Sequence, residues 1–249
     1  QLEALGYRAD EGVSSTHLLV EAWRRAYRDR AAYLGDPDFI RIPLYKLLSR
    51  TYARQLIASV DRARATPSAS LPPVEALREG DHTSHLSVLD AQGNRVAATL
   101  SINLTFGSGF VAPGTGVFLN NEMDDFAAST TASNAYGLIG SEANAIAPGK
   151  RPLSSMTPTF VEGPRGLLVL GTPGGSRIIS MVCLGILNWI NGADAVGVVS
   201  ARRVHHQYLP DLLQAEPGAL SAGDAAQLSA MGHTIKEFPA PWGVNYLLV

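Results

Sequence analysis

Thr83 is the residue of this 249-residue chain whose setting first invites a chemical reading. It stands in GDHTSHLSVLD, residues 80 to 90, where a proline-spotted stretch runs into alternating apolar and polar residues. A threonine hydroxyl inside a chain is a poor nucleophile, because nothing beside it takes its proton; at the head of a strand such a residue is ordinarily structural. A cut between His82 and Thr83 changes this. Thr83 would then own a free α-amine with a reference pKa of about 7.7 to 8.0, and that amine can serve as base for its own hydroxyl.

Three other stretches carry groups that chemistry can use. GTPGGSRI, residues 171 to 178, reads as a strand ending in glycines that open a helix. Successive N–H groups at the positive end of a helix dipole, as at Gly174 and Gly175, can hold an oxyanion while a carbonyl becomes tetrahedral. The same glycines also suit an ordinary strand-to-helix turn. It is no phosphate-binding Walker loop, because the Lys-Ser/Thr ending is missing. LNNEMDDF, residues 119 to 126, concentrates Glu122, Asp124 and Asp125, which can bind an ammonium group or stand as a solvated acidic loop. RPLSSMTPT offers adjacent hydroxyls at Ser154 and Ser155 that can donate to a carboxylate, although adjacent loop serines are common.

The histidines point elsewhere. His82 and His85 lie three apart with no third carboxylate or thiol in register, too little for a metal site. His205 and His206 in RRVHHQYLP read as packed or hydrogen-bonded rings. Cys183 is the only cysteine and sits in an apolar run, so no internal disulfide forms and burial is expected.

These residues need elements to position them. SSTHLLVEAWRRAYRDRAAYL predicts a helix from Ser14 to Leu34, capped by Ser14 or Ser15, with Leu18, Leu19, Ala22, Trp23, Ala26 and Tyr27 on one stripe and Arg24, Arg25 and Arg28 opposite. GDPDF stops it. A second helix is predicted from Pro43 to about Arg64, burying Leu44, Leu47, Leu48, Tyr52, Leu56 and Val60. Residues 65 to 82, with three prolines and two serines, have the composition of an exposed, mobile linker. The period then changes to two: SHLSVLD and RVAATLSIN read as strands of a hairpin turned at Gly93 and Asn94. TPTFVE and GLLVLG read as further strands, followed by a helix from about Ser176 to Asn191 and a short one over SAGDAAQLSAM. Helices, then strands, then helices predict an α+β layered sandwich.

Composition bounds the function. With 46% apolar and 17% charged residues the chain can bury a sizeable core. A net charge of −2 without clustered arginines gives no footprint for a phosphate backbone, so nucleic acid is not an expected partner. No apolar run approaches the roughly 20 residues of a membrane span. The chain begins at Gln1 and shows no signal peptide, as a piece of a longer product would.

In this order, HTSHLSVLDAQGN, TLSINLTFGSG, FLNNEMDDF, NAYGLIG, GKRPLSSMTPT and GTPGGSRI resemble the γ-glutamyltranspeptidase family of N-terminal nucleophile hydrolases. The likeness runs from AYRDRAAYLGDPDF to at least HHQYLPD. It implies a four-layer αββα sandwich, incomplete in this chain. It also implies a precursor that cuts itself before Thr83, so that residues 1–82 are the tail of a large subunit and residues 83–249 a small subunit. Thr83 would attack its own upstream carbonyl, then the γ-amide of glutathione or a related compound. The γ-glutamyl ester so formed would pass to water or to an amino-acid or peptide acceptor. Gly174 and Gly175 match the oxyanion hole, and Ser101 matches a position hydrogen-bonded near the nucleophile. Asn103, Glu122 and Asp125 match positions holding the glutamyl α-ammonium, Ser154 and Ser155 serines on its α-carboxylate, and Tyr136 a tyrosine over the pocket. No metal or organic cofactor is implied, and a periplasmic or secreted location is.

The resemblance also marks what this chain lacks. The family's arginine for the α-carboxylate, and strands of its sandwich, belong to a large-subunit half upstream of Gln1, whose remainder is an expected partner. APWGVNYLLV is expected to stop short of, or diverge from, the family's closing strands. Two rival readings stay open: a cephalosporin or glutaryl acylase of the same fold, and an uncut, non-catalytic member that binds a glutamyl ligand. Glu122 and Asp125 argue against the acylase, since an uncharged glutaryl end would leave them without a cation. Hydrolase and transferase activity both stay open, since water and acceptor amines compete for the same ester.

Overall fold

A computed structural model describes residues 1–72, 83–127, 142–242 and 246–248. In chain order the helices are α1 (Leu2–Leu5), α2 (Val13–Tyr33), α3 (Leu44–Leu47), α4 (Arg50–Ile57), α5 (Arg177–Ile190), α6 (Ala195–Ser200) and α7 (Ala222–Ala230). The strands are β1 (Thr83–Leu89), β2 (Arg95–Ser101), β3 (Thr159–Gly163), β4 (Gly166–Gly171), β5 (Val204–His205), β6 (Leu213–Ala215), β7 (Ile235–Glu237) and β8 (Tyr246–Leu248). The architecture is mixed α/β, and it divides into two compact units that do not follow the order of the chain. Unit 1 comprises Gln1–Leu77, Phe126–Leu153 and Val204–Ala240; unit 2 comprises Arg78–Asp125, Ser154–Arg203 and Pro241–Val249.

Unit 1 is organised by α2. Leu18 and Ala22 pack with Leu5 of α1, and Leu2, Tyr7, Ile57 and Val60 close over them. Its cap differs from expectation: Gly12 takes the N-cap position, and Ser15 instead accepts the Glu11 amide at 3.1 Å. Its polar face also differs. Arg24 and Arg25 are only 2% and 1% exposed, whereas Ala26 is exposed. Both arginines are buried because Glu21, itself inaccessible, lies one turn earlier, with 2.6 Å to Arg25 Nη1 and 3.6 Å to Arg24 Nε. The predicted second helix breaks into α3 and α4 at Ser49, whose hydroxyl caps α4 by accepting the Tyr52 amide at 3.1 Å. Leu44 and Leu48 of its expected apolar face are exposed.

The start of the predicted linker is also packed rather than exposed. Ala65 and Ser68 are buried, and the Ala65 amide donates to the Met231 carbonyl at 2.7 Å. Residues 73–82 lie outside the described residues. A three-stranded sheet of order β5-β6-β7 completes unit 1, with β6 and β7 parallel and joined through α7. As the pattern of SAGDAAQLSAM suggests, α7 starts in a capping box in which Ser221 and Asp224 satisfy each other's backbone.

Unit 2 is a stack of helix, sheet and hairpin. β3, β4 and β8 form an antiparallel sheet with β4 central. Side chains alternate along a strand, so Leu168 and Leu170 of β4 share a face, where they meet Ile178, Val182 and Trp189 of α5 and Val198 of α6. Gly185 lets the helix come close: a Cβ there would lie 2.8 Å from Leu170 Cδ2. On the other face of β4, the His85 ring occupies the space above Gly171, where a Cβ would approach to 2.1 Å. The β1–β2 hairpin thereby covers that face. It is an antiparallel hairpin as expected, places Thr83 opposite Ser101, and turns through Gly93 at φ +86°. Its outward residues Leu86, Val88, Val96 and Leu100 are exposed. Tyr246–Leu248 form β8, which pairs antiparallel with β4. No helix among the described residues is long and apolar enough to cross a membrane.

Candidate active site

Unit 2 gathers Thr83, Ser101, Asn103, Glu122, Asp125, Ser154, Ser155, Met156, Gly175 and Ile178 around one cleft. Strand register sets the first contact. Thr83 opens β1 opposite Ser101 at the end of β2, and its hydroxyl donates to Ser101 Oγ at 3.3 Å. Ser101 Oγ also accepts the Asn103 amide at 2.9 Å, which turns the chain sharply after β2. Asn103 takes up this turn at φ +70°, a left-handed conformation that asparagine tolerates better than most residues.

Two asparagines then bring the acidic stretch to the end of β2. Asn103 Nδ2 donates to the Asn121 carbonyl at 3.1 Å, and Asn121 Oδ1 accepts the Leu104 amide at 3.1 Å. Glu122–Asp125 form a single 3-10 turn. Because that helix has three residues per turn, Glu122 and Asp125 lie on one side, and both line the cleft. Asp124 does not; it accepts from Asn121 Nδ2 at 2.8 Å. Glu122 Oε1 is buried and has no hydrogen-bond partner among the described residues.

Another wall is hydroxylic. Ser155 is 2% exposed and its Oγ has no partner among the described residues, while Ser154 Oγ accepts the Met156 amide at 3.1 Å. Gly174 and Gly175 sit at φ +133° and +56° where β4 gives way to α5, a backbone course that a side chain would oppose. Gly175 lines the cleft and Gly174 precedes it in the same turn. The carboxylates can hold a cation, the hydroxyls can donate to an anion, and Thr83 and Gly175 line the same cleft.

Of the residues picked from sequence, Thr83, Ser101, Asn103, Glu122, Asp125, Ser154, Ser155 and Gly175 share the cleft. Tyr136 lies outside the described residues. The sequence reading missed Asn121, which braces the acidic turn; it lies in a stretch already singled out, and its role depends on contacts that spacing does not reveal. His82 lies outside the described residues, and His85, His205 and His206 are held in protein hydrogen bonds. His85 Nδ1 and Nε2 bond Thr99 and Ser87 at 2.8 and 3.1 Å, and burial holds its pKa below the usual imidazole value. His205 and His206 are buried in unit 1, bonded to Gln207 at 2.9 Å and Asp211 at 3.0 Å. Among the described residues no cluster of His, Cys, Asp and Glu could hold a metal ion.

The family model described as Gamma-glutamyltranspeptidase matches residues 2–246. The glutathione hydrolase proenzyme of Pseudomonas sp. (strain A14) is 43% identical over 99% of this chain, which spans 42% of that relative. An acivicin-inhibited γ-glutamyltranspeptidase, whose C-terminus has critical roles in autoprocessing and catalysis, is 44% identical with a TM-score of 0.61. That match covers 66% of this chain and 87% of the solved one. The cephalosporin acylase of Bacillus halodurans is 25% identical with a TM-score of 0.78, over 99% of this chain and 44% of that one. A family match over nearly every residue, with the cleft assembled from its motifs, leads to one conclusion: the chain belongs to the γ-glutamyltranspeptidase family.

Proposed function

We propose that this chain is the tail of the large subunit and the small subunit of an enzyme that hydrolyses or transfers γ-glutamyl groups, with glutathione among its substrates. One observation carries the reading. Thr83 shares a cleft with Glu122 and Ser155, whose buried oxygens have no partner among the described residues. Buried polar atoms without partners are costly, and the α-ammonium and α-carboxylate of a glutamyl group would satisfy both. The relatives support the same chemistry. In the acivicin-inhibited structure, the matched share of about two thirds of this chain is also the share made up by residues 83–249.

Maturation breaks the bond between His82 and Thr83 after attack by Thr83 Oγ1 on the preceding carbonyl, and hydrolysis of the resulting ester leaves Thr83 with a free amine. In turnover this amine accepts the hydroxyl proton as Oγ1 attacks the γ-carbonyl of the substrate. The amides of the Gly174–Gly175 turn hold the developing oxyanion, and Ser101 keeps the nucleophile in place. The C–N bond breaks, the proton passes to the leaving amine, and a γ-glutamyl ester remains. Water releases glutamate from it, or an acceptor amine takes the acyl group. Asn103, Glu122 and Asp125 hold the α-ammonium, and Ser154 and Ser155 the α-carboxylate.

The upstream half completes the site with its arginine, and completes an αββα sandwich by covering the outward apolar face of β1 and β2. Acylase chemistry is the second reading, favoured by the extent of the match to the cephalosporin acylase. Glu122 and Asp125 favour an amino-acid head instead. The test is an intact mass spectrum of the protein carrying its upstream half, followed by assays with γ-glutamyl and glutaryl anilides. A fragment beginning at Thr83 and a preference for the γ-glutamyl anilide are expected. A chain that stays uncut would overturn the enzyme reading in favour of a binding member, and a preference for the glutaryl anilide would favour the acylase.

A further inference from the structure

Between β2 and the acidic turn the chain leaves the cleft and comes back to it. Residues 104–120 run out through exposed Phe106, Phe110 and Phe118, with Val111 bridged to Phe118. The two limbs close again where the Ser108 amide donates to the Leu119 carbonyl at 2.9 Å. Gly107 permits that closure, since a Cβ there would lie 2.1 Å from the Leu119 carbonyl oxygen. Asn121 follows two residues later, and all its polar groups are engaged. Its amide donates to the Ile102 carbonyl at 3.4 Å, and its carbonyl accepts Asn103 Nδ2 and the Asp124 amide, each at 3.1 Å. Its side chain reaches in two directions: Oδ1 accepts the Leu104 amide at 3.1 Å, and Nδ2 donates to Asp124 Oδ2 at 2.8 Å.

We propose that Asn121 is a positioning residue that selects which of three neighbouring carboxylates meet the substrate, and so sets the preference for an amino-acid head over a plain carboxylic acid. The inference rests on the reading that Glu122 and Asp125 hold a glutamyl α-ammonium. Glu122, Asp124 and Asp125 repel one another, and a cation in the cleft would draw in any of them. Residues three apart share a side of a 3-10 turn, so Asp124 stands about a third of a turn away from the other two. By donating to Asp124, Asn121 keeps that carboxylate on the exposed side. By accepting the Leu104 amide, it fixes the turn against the chain leaving β2. Without this side chain the turn can rotate and present Asp124 in place of Asp125. The ammonium then loses an aligned partner, while Thr83 and the Gly174–Gly175 amides stay where they are. Asn121 is not among the residues lining the cleft, so its effect passes through Glu122 and Asp125.

The test uses the protein carrying its upstream half and two ligands that differ only in the amine, L-glutamate and glutarate, with affinities read by titration calorimetry. The parent should bind glutamate the more tightly. In Asn121→Ala, glutamate should weaken by about tenfold and glutarate by less than about twofold, because only the ammonium has lost an aligned counter-charge. With a γ-glutamyl anilide the same variant should raise KM by about tenfold and hold kcat within about twofold. Asp124→Ala removes one of the two side-chain bonds of Asn121 and should give a smaller change in the same direction. Added to Asn121→Ala it should cost nothing more, as two groups acting through one contact require. Asp124→Ala also serves if Asn121→Ala does not fold. Variants that weaken both ligands by the same factor, or neither, would overturn the inference and leave the glutamyl reading in place. A parent that binds glutamate no more tightly than glutarate would overturn the glutamyl reading, and the inference with it.

Discussion

The buried polar groups around α2 in unit 1 and those of the unit 2 cleft are chemically alike but differently satisfied. Around α2, Glu21 accepts from the Thr66 amide at 2.9 Å, the Thr66 hydroxyl at 2.6 Å and Arg25 at 2.6 Å. Burial alone would raise the pKa of Glu21, yet these bonds and Arg25 hold it below its ordinary value. Arg25 is bonded in turn to Leu56, Ser59 and Thr66. In the cleft, Glu122 and Ser155 bury oxygens that have no protein partner among the described residues. A network whose carboxylate is saturated from within specifies a fold, even though Arg24 Nε here has no hydrogen-bond partner among the described residues and stands 3.6 Å from Glu21. Carboxylate and hydroxyl oxygens left open toward a cleft are instead completed by something that binds. The contrast separates the carboxylates that hold the protein together from those proposed to hold a substrate.

The comparison can be broken most sharply at the nucleophile. Thr83→Ala should abolish both the cut and all γ-glutamyl anilide turnover while leaving the thermal midpoint of the uncut protein within a few degrees of the parent. Mass spectrometry and a release assay check it. Glu122→Ala should lower kcat/KM for a γ-glutamyl anilide by about a hundredfold or more, because the ammonium loses its counter-charge. Stability should change little, since no protein partner of Oε1 is lost. A stability loss as large as that of a buried pair would remove the distinction between the two regions. The opposite pattern is expected for Glu21→Ala. Leaving Arg24 and Arg25 without their common anion should destabilise unit 1 by about 3 to 5 kcal/mol in a denaturant titration.

The smallest effect concerns acid. Burial, reinforced by His17 and Arg24 and opposed by Glu21, pushes the pKa of His233 down to about 4. His206 faces the same cluster and is lowered as well, by burial first, against the pull of Asp211. An unfolded chain binds a proton at His233 near pH 6.5, whereas the folded chain resists until about 4. Stability is therefore full above about pH 6.5 and falls as the pH drops toward 4, by about 2 to 3 kcal/mol for this group. The decline should flatten in His233→Gln when unfolding midpoints are compared between pH 7 and pH 4.5. An unchanged slope would mean that the His17–His233 contact is not what resists the proton.

Local patterns carried far where the contacts they report are local. The α2 helix lies within one residue of its predicted ends, and the hairpin forms where the alternation placed its strands. β3, β4, α5 and α7 all stand where the periodicity placed them. Where the periodicity failed, distant partners decided. Arg24 and Arg25 sit opposite the apolar stripe and look like surface residues in sequence. Arg24 is nevertheless bonded to Ser68 and Asp211, 44 and 187 positions away. The residues after Ala65 have the composition of a linker, yet Ser68 is buried because its three contacts come from Arg24, Tyr208 and Asp211. The second helix is broken where Ser49 can bond the Tyr52 amide, and its periodicity gave no sign of this.

By itself the sequence determined the chemical types at the cleft, the family, and the elements that bring those residues to strand ends and turns. Side-chain period, turn residues and motif order are properties of neighbours along the chain. Only the tertiary structure decided which carboxylates are satisfied and which are not. It also decided that Asn121 holds Glu122 and Asp125 toward Thr83, and that chain from both sides of the proposed cut interlocks in unit 1. The physical reason is that a buried polar group is defined by its partners, and those partners lie at separations no local pattern records.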